Sequence, residues 1–278
     1  MLQRVIALKN EVNNIPEKEK DEIGILTFED SDAIQEYLKQ HSNQLRDFLL
    51  LAATDATILL GKQYAVATMA YANPEIPNQT YSGVDMIVEG FEEVNADFLE
   101  KVWQRCHHLP WKIAETKRCI IRELSLEDLD ALFELYSDEE ISKFTENLYP
   151  YEEEKEFQLA YINNMYRFYG YGMWLVFSKE TGELIGRAGL EHREYKAEIE
   201  LELGYVIGAK FQRQGYATEV CEKIIEIAKT MTDFPRINCL IDAENVASIA
   251  LAQKLGFHWC EDIQSDNRKM ERYQRHLV

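Results

Sequence analysis

Residues 198–207 read EIELELGYVI, and residues 216–231 read YATEVCEKIIEIAKTM. Charged and apolar side chains alternate from Glu198 to Leu203, so a strand there carries two different faces. The second stretch spaces its apolar residues for an amphipathic helix. The chain therefore passes from a two-faced strand to a helix through GAKFQRQG, 208–215. A tight turn explains Gly215 alone. A bound pyrophosphate explains more, because glycine lets an anion approach backbone N–H groups and the helix start adds positive potential. Arg213 adds a charge-assisted contact. Neither GxGxxG nor GxxxxGK[ST] is present in this loop, so the common nucleotide fingerprints do not apply.

The surrounding pattern predicts an α+β domain. Residues 119–124 form a strand, and 125–138 an amphipathic helix with Ser125 as cap. A polar, tyrosine-rich helical region follows over 151–169. Strand runs at 171–180, 183–194 and 198–208 make an antiparallel meander. After the helix at 216–231 come a strand at 236–243, a helix at 245–255 and final strands at 258–264 and 270–277.

The first part of the chain reads differently. The runs 23–28, 48–53, 65–71 and 86–90 are strand-like, separated by helices that start near Asp30 or Ser31, at Thr54 and at Asn95. Strands alternating with helices predict a small Rossmann-like parallel sheet. The segment up to Asn14 predicts a short helix, and PEKEKDE (16–22) a solvated linker.

A chain of 278 residues with 46% apolar content has room for two cores. A net charge of −19 argues against nucleic acid and anionic membranes, and it suits a cationic partner or substrate as well as simple solubility. Five scattered cysteines without a CxxC pair predict reduced thiols, a cytoplasmic location and no metal site. No apolar run reaches the length of a membrane span.

The order Gln212-Arg213-Gln214-Gly215-Tyr216-Ala217 resembles the acetyl-CoA loop of the GNAT acetyltransferases, [Q/R]-x-x-G-x-[G/A]. NVASIALAQKLGFHW (245–259) is similar to a second segment of that family, with Asn245, Ser248, Leu251, Lys254, Gly256 and Phe257 in step. ELGYVI (202–207) resembles the branch that acetylates ribosomal-protein N-termini and its small-molecule relatives. The resemblance covers residues 117–265. It implies acetyl-CoA as co-substrate and transfer of acetyl to a primary amine by direct attack in a ternary complex. The backbone of Tyr205, Val206 and Ile207 would line the thioester arm, and Gln212, Arg213, Gln214, Gly215, Tyr216, Ala217 and Thr218 the pyrophosphate. Asn245 and Ser248 would open the next helix beside the arm; an ordinary helix cap explains Asn245 as well, while Leu251 and Phe257 read as core.

Glu198, Glu200 and Glu202 share one strand face, and Glu202 stands where some members of the family keep a general base; a solvated face is the other reading. The family's thiolate-protonating tyrosine is replaced by Ala252, leaving Tyr151, Tyr161, Tyr166, Tyr205 or water. His192 is a lesser candidate base. Acidic residues 139–154, with Phe144, Tyr149 and Tyr151, suit an ammonium-bearing acceptor. The N-terminal half weakly resembles the later part of the haloacid-dehalogenase-like fold, with Asp30 and Asp32 at DxD spacing.

The expectation is thus α/β plus α+β: a non-catalytic Rossmann-like domain, 1–115, followed by a mixed-sheet GNAT domain, 116–278. Two other functions compete with the acetyltransferase, an acyl-CoA-binding sensor and a phosphatase working through Asp30. The oligomeric state and the identity of the acceptor are not legible.

Overall fold

The computed structural model describes residues 1–265 and 268–277 and divides into two units, Met1–Trp111 and Lys112–Val278. In the first, β1 (Arg4–Leu8), α1 (Glu17–Ile23), β2 (Ile25–Phe28), α2 (Ser31–Gln40), β3 (Phe48–Ala52), α3 (Asp55–Tyr64), β4 (Ala67–Tyr71), β5 (Ile87–Val88) and α4 (Ala96–Cys106) build a parallel sheet in the order β2-β1-β3-β4-β5.

Two local expectations are corrected. The start of the chain is not a helix but β1, paired on both edges by β2 and β3. Its VIAL run is too short for a helix, and burial on both faces of a parallel sheet selects a continuous apolar strand; Ile6 and Ala7 have no exposed surface. The charged run at 17–23 is a helix rather than a linker. Pro16 precedes it, Gly24 closes it in the left-handed conformation, and Lys18–Glu22 and Lys20–Glu17 pair along its surface. Side chains of Asp30, Thr54 and Asn95 cap α2, α3 and α4 by accepting backbone N–H groups. Asp30 is therefore a helix cap.

The second unit begins at β6 (Lys112–Glu115), four residues before the expected boundary, because β6 pairs antiparallel with β7 (Cys119–Arg122). Then come α5 (Leu129–Tyr136), α6 (Glu139–Ser142), α7 (Tyr151–Tyr161), a π-helical continuation (Ile162–Tyr169), β8 (Met173–Ser178), β9 (Leu184–Tyr195), β10 (Glu198–Ile207), α8 (Tyr216–Met231), β11 (Arg236–Asp242), α9 (Val246–Lys254), β12 (His258–Ser265) and β13 (Arg268–His276). The sheet order is β12-β13-β11-β10-β9-β8-β7-β6. β7 through β10 form the meander, and β10 with β11 makes a parallel pair. Val220, Ile224, Ile225 and Ala228 on one stripe of α8 join Trp174, Leu190, Leu201 and Leu203 of the sheet in one core. No helix among the described residues is long and apolar enough to cross a membrane.

Candidate active site

β10 and β11 share only two rungs, Leu201 with Ile237 and Glu202 with Asn238. Both strands run on past them, to Ile207 and Asp242, so the sheet opens there as a wedge. A cavity of about 480 Å³ lies at this wedge. Its walls are Tyr205, Val206 and Ile207 of β10; Phe211, Gln212, Arg213 and Gly215 of the loop; Tyr216, Ala217 and Thr218 of α8; Asn245, Ala247, Ser248 and Leu251 at and beyond the start of α9; and Glu140, Ile141, Lys143, Phe144 and Thr145. Strand backbone without a neighbouring strand offers N–H and C=O groups to an extended ligand.

The start of α8 is built differently from those of α2, α3, α4 and α9. Gly215 holds its N-cap position at φ +83°, a conformation that L side chains adopt only with strain, and no side chain caps the helix. The first helical bond runs from Glu219 N–H to Gly215 O. The amides of Tyr216, Ala217 and Thr218 thus lack helical acceptors, and all three residues belong to the cavity wall. Arg213 is also left-handed, at φ +59°, a strain of the kind found where a loop is shaped for a ligand.

Charge points the same way. Within a chain of net charge −19, Arg213 and Lys143 line the cavity. Lys254 Nζ lies 3.4 Å from Thr218 Oγ1, and the Arg118 guanidinium sits 4.0 Å from the Tyr216 ring centroid. Arg118 also donates through Nε to Glu219 at 2.7 Å and through Nη1 to the Gln214 carbonyl at 3.0 Å. Burial works against the Glu219 charge, but hydrogen bonds from Thr116 and Arg118 outweigh it and hold the carboxyl below its usual range. The acid of the first turn is therefore neutralised, and an anion can occupy the helix start.

Most of the expected cofactor residues come together here, with two qualifications. Gln214 does not line the cavity; its side chain bonds the Lys210 carbonyl at 2.8 Å and its own carbonyl takes Arg118, so it shapes the loop. Asn245 caps α9 by accepting from Ser248 N–H at 3.1 Å, which leaves its amide nitrogen unengaged among the described residues. Leu251, read from sequence as core, is part of the wall, while Phe257 is core as expected. Sequence reasoning missed Arg118, whose partner Glu219 lies about a hundred residues away and whose role no local pattern signals.

The three glutamates of β10 are not one solvated face. Glu198 is exposed, 3.6 Å from Arg236. Glu200 is buried and held by Arg272 at 3.0 Å, Asn238 at 2.6 Å and Arg236 at 3.2 Å, a structural role. Glu202 pairs with Arg193 Nε at 2.9 Å and accepts the Tyr195 hydroxyl. Burial pushes the Glu202 carboxyl up, with Arg193 opposing it. Glu202 is outside the cavity wall; it shares a face with Gly204 and Val206, and only Val206 of these lines the cavity.

Among the tyrosines, Tyr205 alone of the four candidates is in the wall. Burial raises its phenol well above the usual value, and its hydroxyl donates to the Ser248 carbonyl at a loose 3.4 Å. Tyr151 donates to Asp130, Tyr161 to Glu191 and Tyr166 to the Met173 carbonyl. The ring of His192 packs on Tyr169 and Tyr171 away from the wall residues. Of the acidic segment, Glu140 lines the cavity, whereas Glu154 is buried and bonds Tyr149 N–H and the Gln158 amide.

A wedge in a mixed sheet, an uncapped helix start and clustered cations define a domain that takes an extended, anionic cofactor. The family model of the acetyltransferase (GNAT) domain matches residues 118–258. The chain belongs to the GNAT acetyltransferase family, whose acyl donor is acetyl-CoA. Over 107 residues it is 30% identical to YkkB of Bacillus subtilis, described as uncharacterised, a match covering 38% of this chain and 62% of YkkB. The chain thus spans less than two thirds of that relative. It is also 30% identical over 147 residues to the uncharacterised N-acetyltransferase p20 of Bacillus licheniformis, covering 51% of this chain and 80% of p20. Among solved structures, a GNAT-family acetyltransferase of Bordetella pertussis superposes with a TM-score of 0.51 at 20% identity, over 59% of this chain and 99% of that one. The ribosomal L7/L12 α-N-protein acetyltransferase RimL gives 0.53 at 19% identity, over 61% and 96%. These likenesses show the fold.

Proposed function

We propose that residues 112–278 transfer acetyl from acetyl-CoA to a primary amine by direct attack in a ternary complex. The observation that carries this reading is the uncapped α8 start opening onto a cavity whose facing wall is β10 backbone left unpaired on its β11 edge. The pyrophosphate would rest on the amides from Arg213 to Thr218, with Arg213 and Lys143 neutralising it. The pantetheine arm would then run from Ile207 back along β10 toward the last shared rung, adding itself as a strand, with the Asn245 amide beside it. A RimL structure in complex with coenzyme A supports the fit of this cofactor to the fold.

The thioester would come level with Gly204. There the amine nitrogen attacks the carbonyl carbon, the C–S bond breaks, one proton leaves the nitrogen and one reaches the thiolate. Glu202 is the proposed base, reached over Gly204 along its own strand face. Its burial suits the task, since a raised carboxyl binds a proton more readily at neutral pH. Tyr205 is the proposed acid for the thiolate and stands in for the tyrosine replaced by Ala252. The 1–111 unit is proposed as non-catalytic: Asp30 is spent as the cap of α2, and the buried Glu11 carboxylate fills the start of α3.

Calorimetric titration with acetyl-CoA, with Gly215→Glu as the blocked control, tests the reading. Micromolar binding lost in the variant is expected. Absence of binding to the folded protein would remove both the transferase and the sensor readings, and binding without turnover on any amine would leave the sensor.

A further inference from the structure

Three consecutive same-face pairs of β9 and β10 lead inward from the cavity: Arg187 with Val206, Gly189 with Gly204, and Glu191 with Glu202. Alternate residues of a strand share a face, so one guanidinium and two carboxylates stand at opposite ends of roughly 13 Å of strand, with only glycines between. The glycines are close-set. A Cβ at Gly189 would lie 2.0 Å from the Gly172 carbonyl, and one at Gly204 would lie 2.9 Å from the Met173 sulfur. Gly189 is thus covered by the backbone of Gly172 and Met173, while Gly204 is covered by the Met173 thioether, a flexible group that can give way over the β10 side of the pair.

Arg187 is 8% exposed, and among the described residues its guanidinium takes part in no hydrogen bond or ion pair; Nε is buried without a partner. The Tyr161 ring centroid lies 5.5 Å away, and the Glu191 carboxylate acts on the guanidinium through space without bonding it. The other buried arginine of this sheet, Arg272, also has an unpartnered Nε, but its Nη1 and Nη2 are answered by Glu200 at 3.0 Å and Glu261 at 2.7 Å, and those of Arg187 by no carboxylate among the described residues. A buried charge without a partner is strongly unfavourable, and a fold that keeps one points to a ligand that completes it. A guanidinium is built to take a carboxylate by two parallel hydrogen bonds.

We infer that the acceptor is a small zwitterion, an amine that also carries a carboxylate, with Arg187 binding the carboxylate and the Glu191–Glu202 pair facing the ammonium. The proposal rests on the acetyltransferase reading above. It narrows the expectation of an ammonium-bearing acceptor: a polyamine would meet the Glu191–Glu202 end favourably but place a second positive charge against Arg187.

The test uses the full chain, acetyl-CoA and matched acceptors: phenylalanine against phenethylamine, and serine against ethanolamine. The wild type is expected to favour the carboxylate-bearing member of at least one pair by 100-fold or more in kcat/KM. Arg187→Met is expected to reduce that preference to within threefold, through KM for the amino acid, and Arg187→Lys to restore part of it. Acetyl-CoA affinity measured by calorimetry should be the same in all three proteins, and the Met variant should melt no lower than the wild type, because it loses an unpaired buried charge. Equal or better use of the decarboxylated amines by the wild type would overturn the proposal. So would a preference that survives in Arg187→Met, or acetyl-CoA binding with no acetylation of any amino acid. Failure to bind acetyl-CoA at all is a separate result, which removes the acetyltransferase reading itself.

Discussion

Glu202 of β10 faces Asn238 of β11 across the last rung that the two strands share. One residue further on, the backbone of β10 has no strand beside it on that edge, and within five residues it enters the loop that leads to Gly215. The same short stretch therefore carries a strand edge with free backbone groups into an amide-rich helix start, the two features on which the proposed cofactor site rests.

Gly215→Ala should weaken acetyl-CoA binding without abolishing it. A Cβ there would meet only Arg118 Nη2, at an ordinary 3.6 Å, so the penalty is the left-handed backbone. At roughly 1–2 kcal/mol for a non-glycine residue, the dissociation constant should rise about 5- to 30-fold, against complete loss in Gly215→Glu. Calorimetry on both variants separates the two degrees of damage.

Tyr205→Phe should lower kcat by about 100-fold or more, the range of a general acid, while acetyl-CoA affinity changes less than threefold. The hydroxyl makes only a loose bond to Ser248, so folding should hardly respond. An unchanged kcat would return thiolate protonation to water.

Glu202→Gln should abolish most turnover and remove the acidic limb from the pH profile. A base works deprotonated, and burial raises this carboxyl, so wild-type kcat/KM should climb with pH through a midpoint above the ordinary glutamate range. The folded value lies above the unfolded one. Ionising Glu202 therefore costs stability as pH rises through that window. Rate–pH curves for both proteins would decide; a limb that persists in the variant belongs to another group.

Asp128→Asn should destabilise the 112–278 unit by roughly 1–2 kcal/mol at pH 7, the range for losing a helix cap and a partly buried ion pair. Burial works against the Asp128 charge, but hydrogen bonds from Arg122 and Ser125 outweigh it and depress the carboxyl. A depressed acid stabilises the fold above its unfolded value and loses that contribution as pH falls through its folded value. Denaturant midpoints at pH 7, 5 and 3 should show the wild-type advantage shrinking only at the acid end.

Glu11→Ala should destabilise the 1–111 unit by roughly 3 kcal/mol, because three donors at the start of α3 lose their acceptor. The carboxylate is 2% exposed and takes Ala53 N–H at 2.6 Å, Thr54 Oγ1 at 2.7 Å and Thr57 Oγ1 at 2.6 Å. Acetyl-CoA binding measured below the melting transition should be retained.

Local physics made much of this protein legible in advance. The alternation of β10, the apolar spacing of α8 and the glycine between them are short-range signals, and the spacing to Asn245 locates the next helix start. Those residues determined the mixed-sheet domain and most of the cavity wall. The first strand was misread because VIAL has no period of its own; only pairing on both edges, by residues some twenty and forty positions away, makes it the centre of a parallel sheet. The resemblance implies that the Tyr205–Ile207 backbone lines an extended arm, but the opening of the wedge at the Glu202–Asn238 rung depends on where two distant strands part. The same holds for the acidic face of β10. In sequence the three glutamates are equivalent. Arg272 and Asn238 bury one of them, Arg193 and Tyr195 hold another, and the third faces water, so tertiary pairing alone gives them different chemistry. Arg187 is the extreme case: nothing in GRAGL marks its arginine as a charge without a partner, because that property belongs to the groups packed around it.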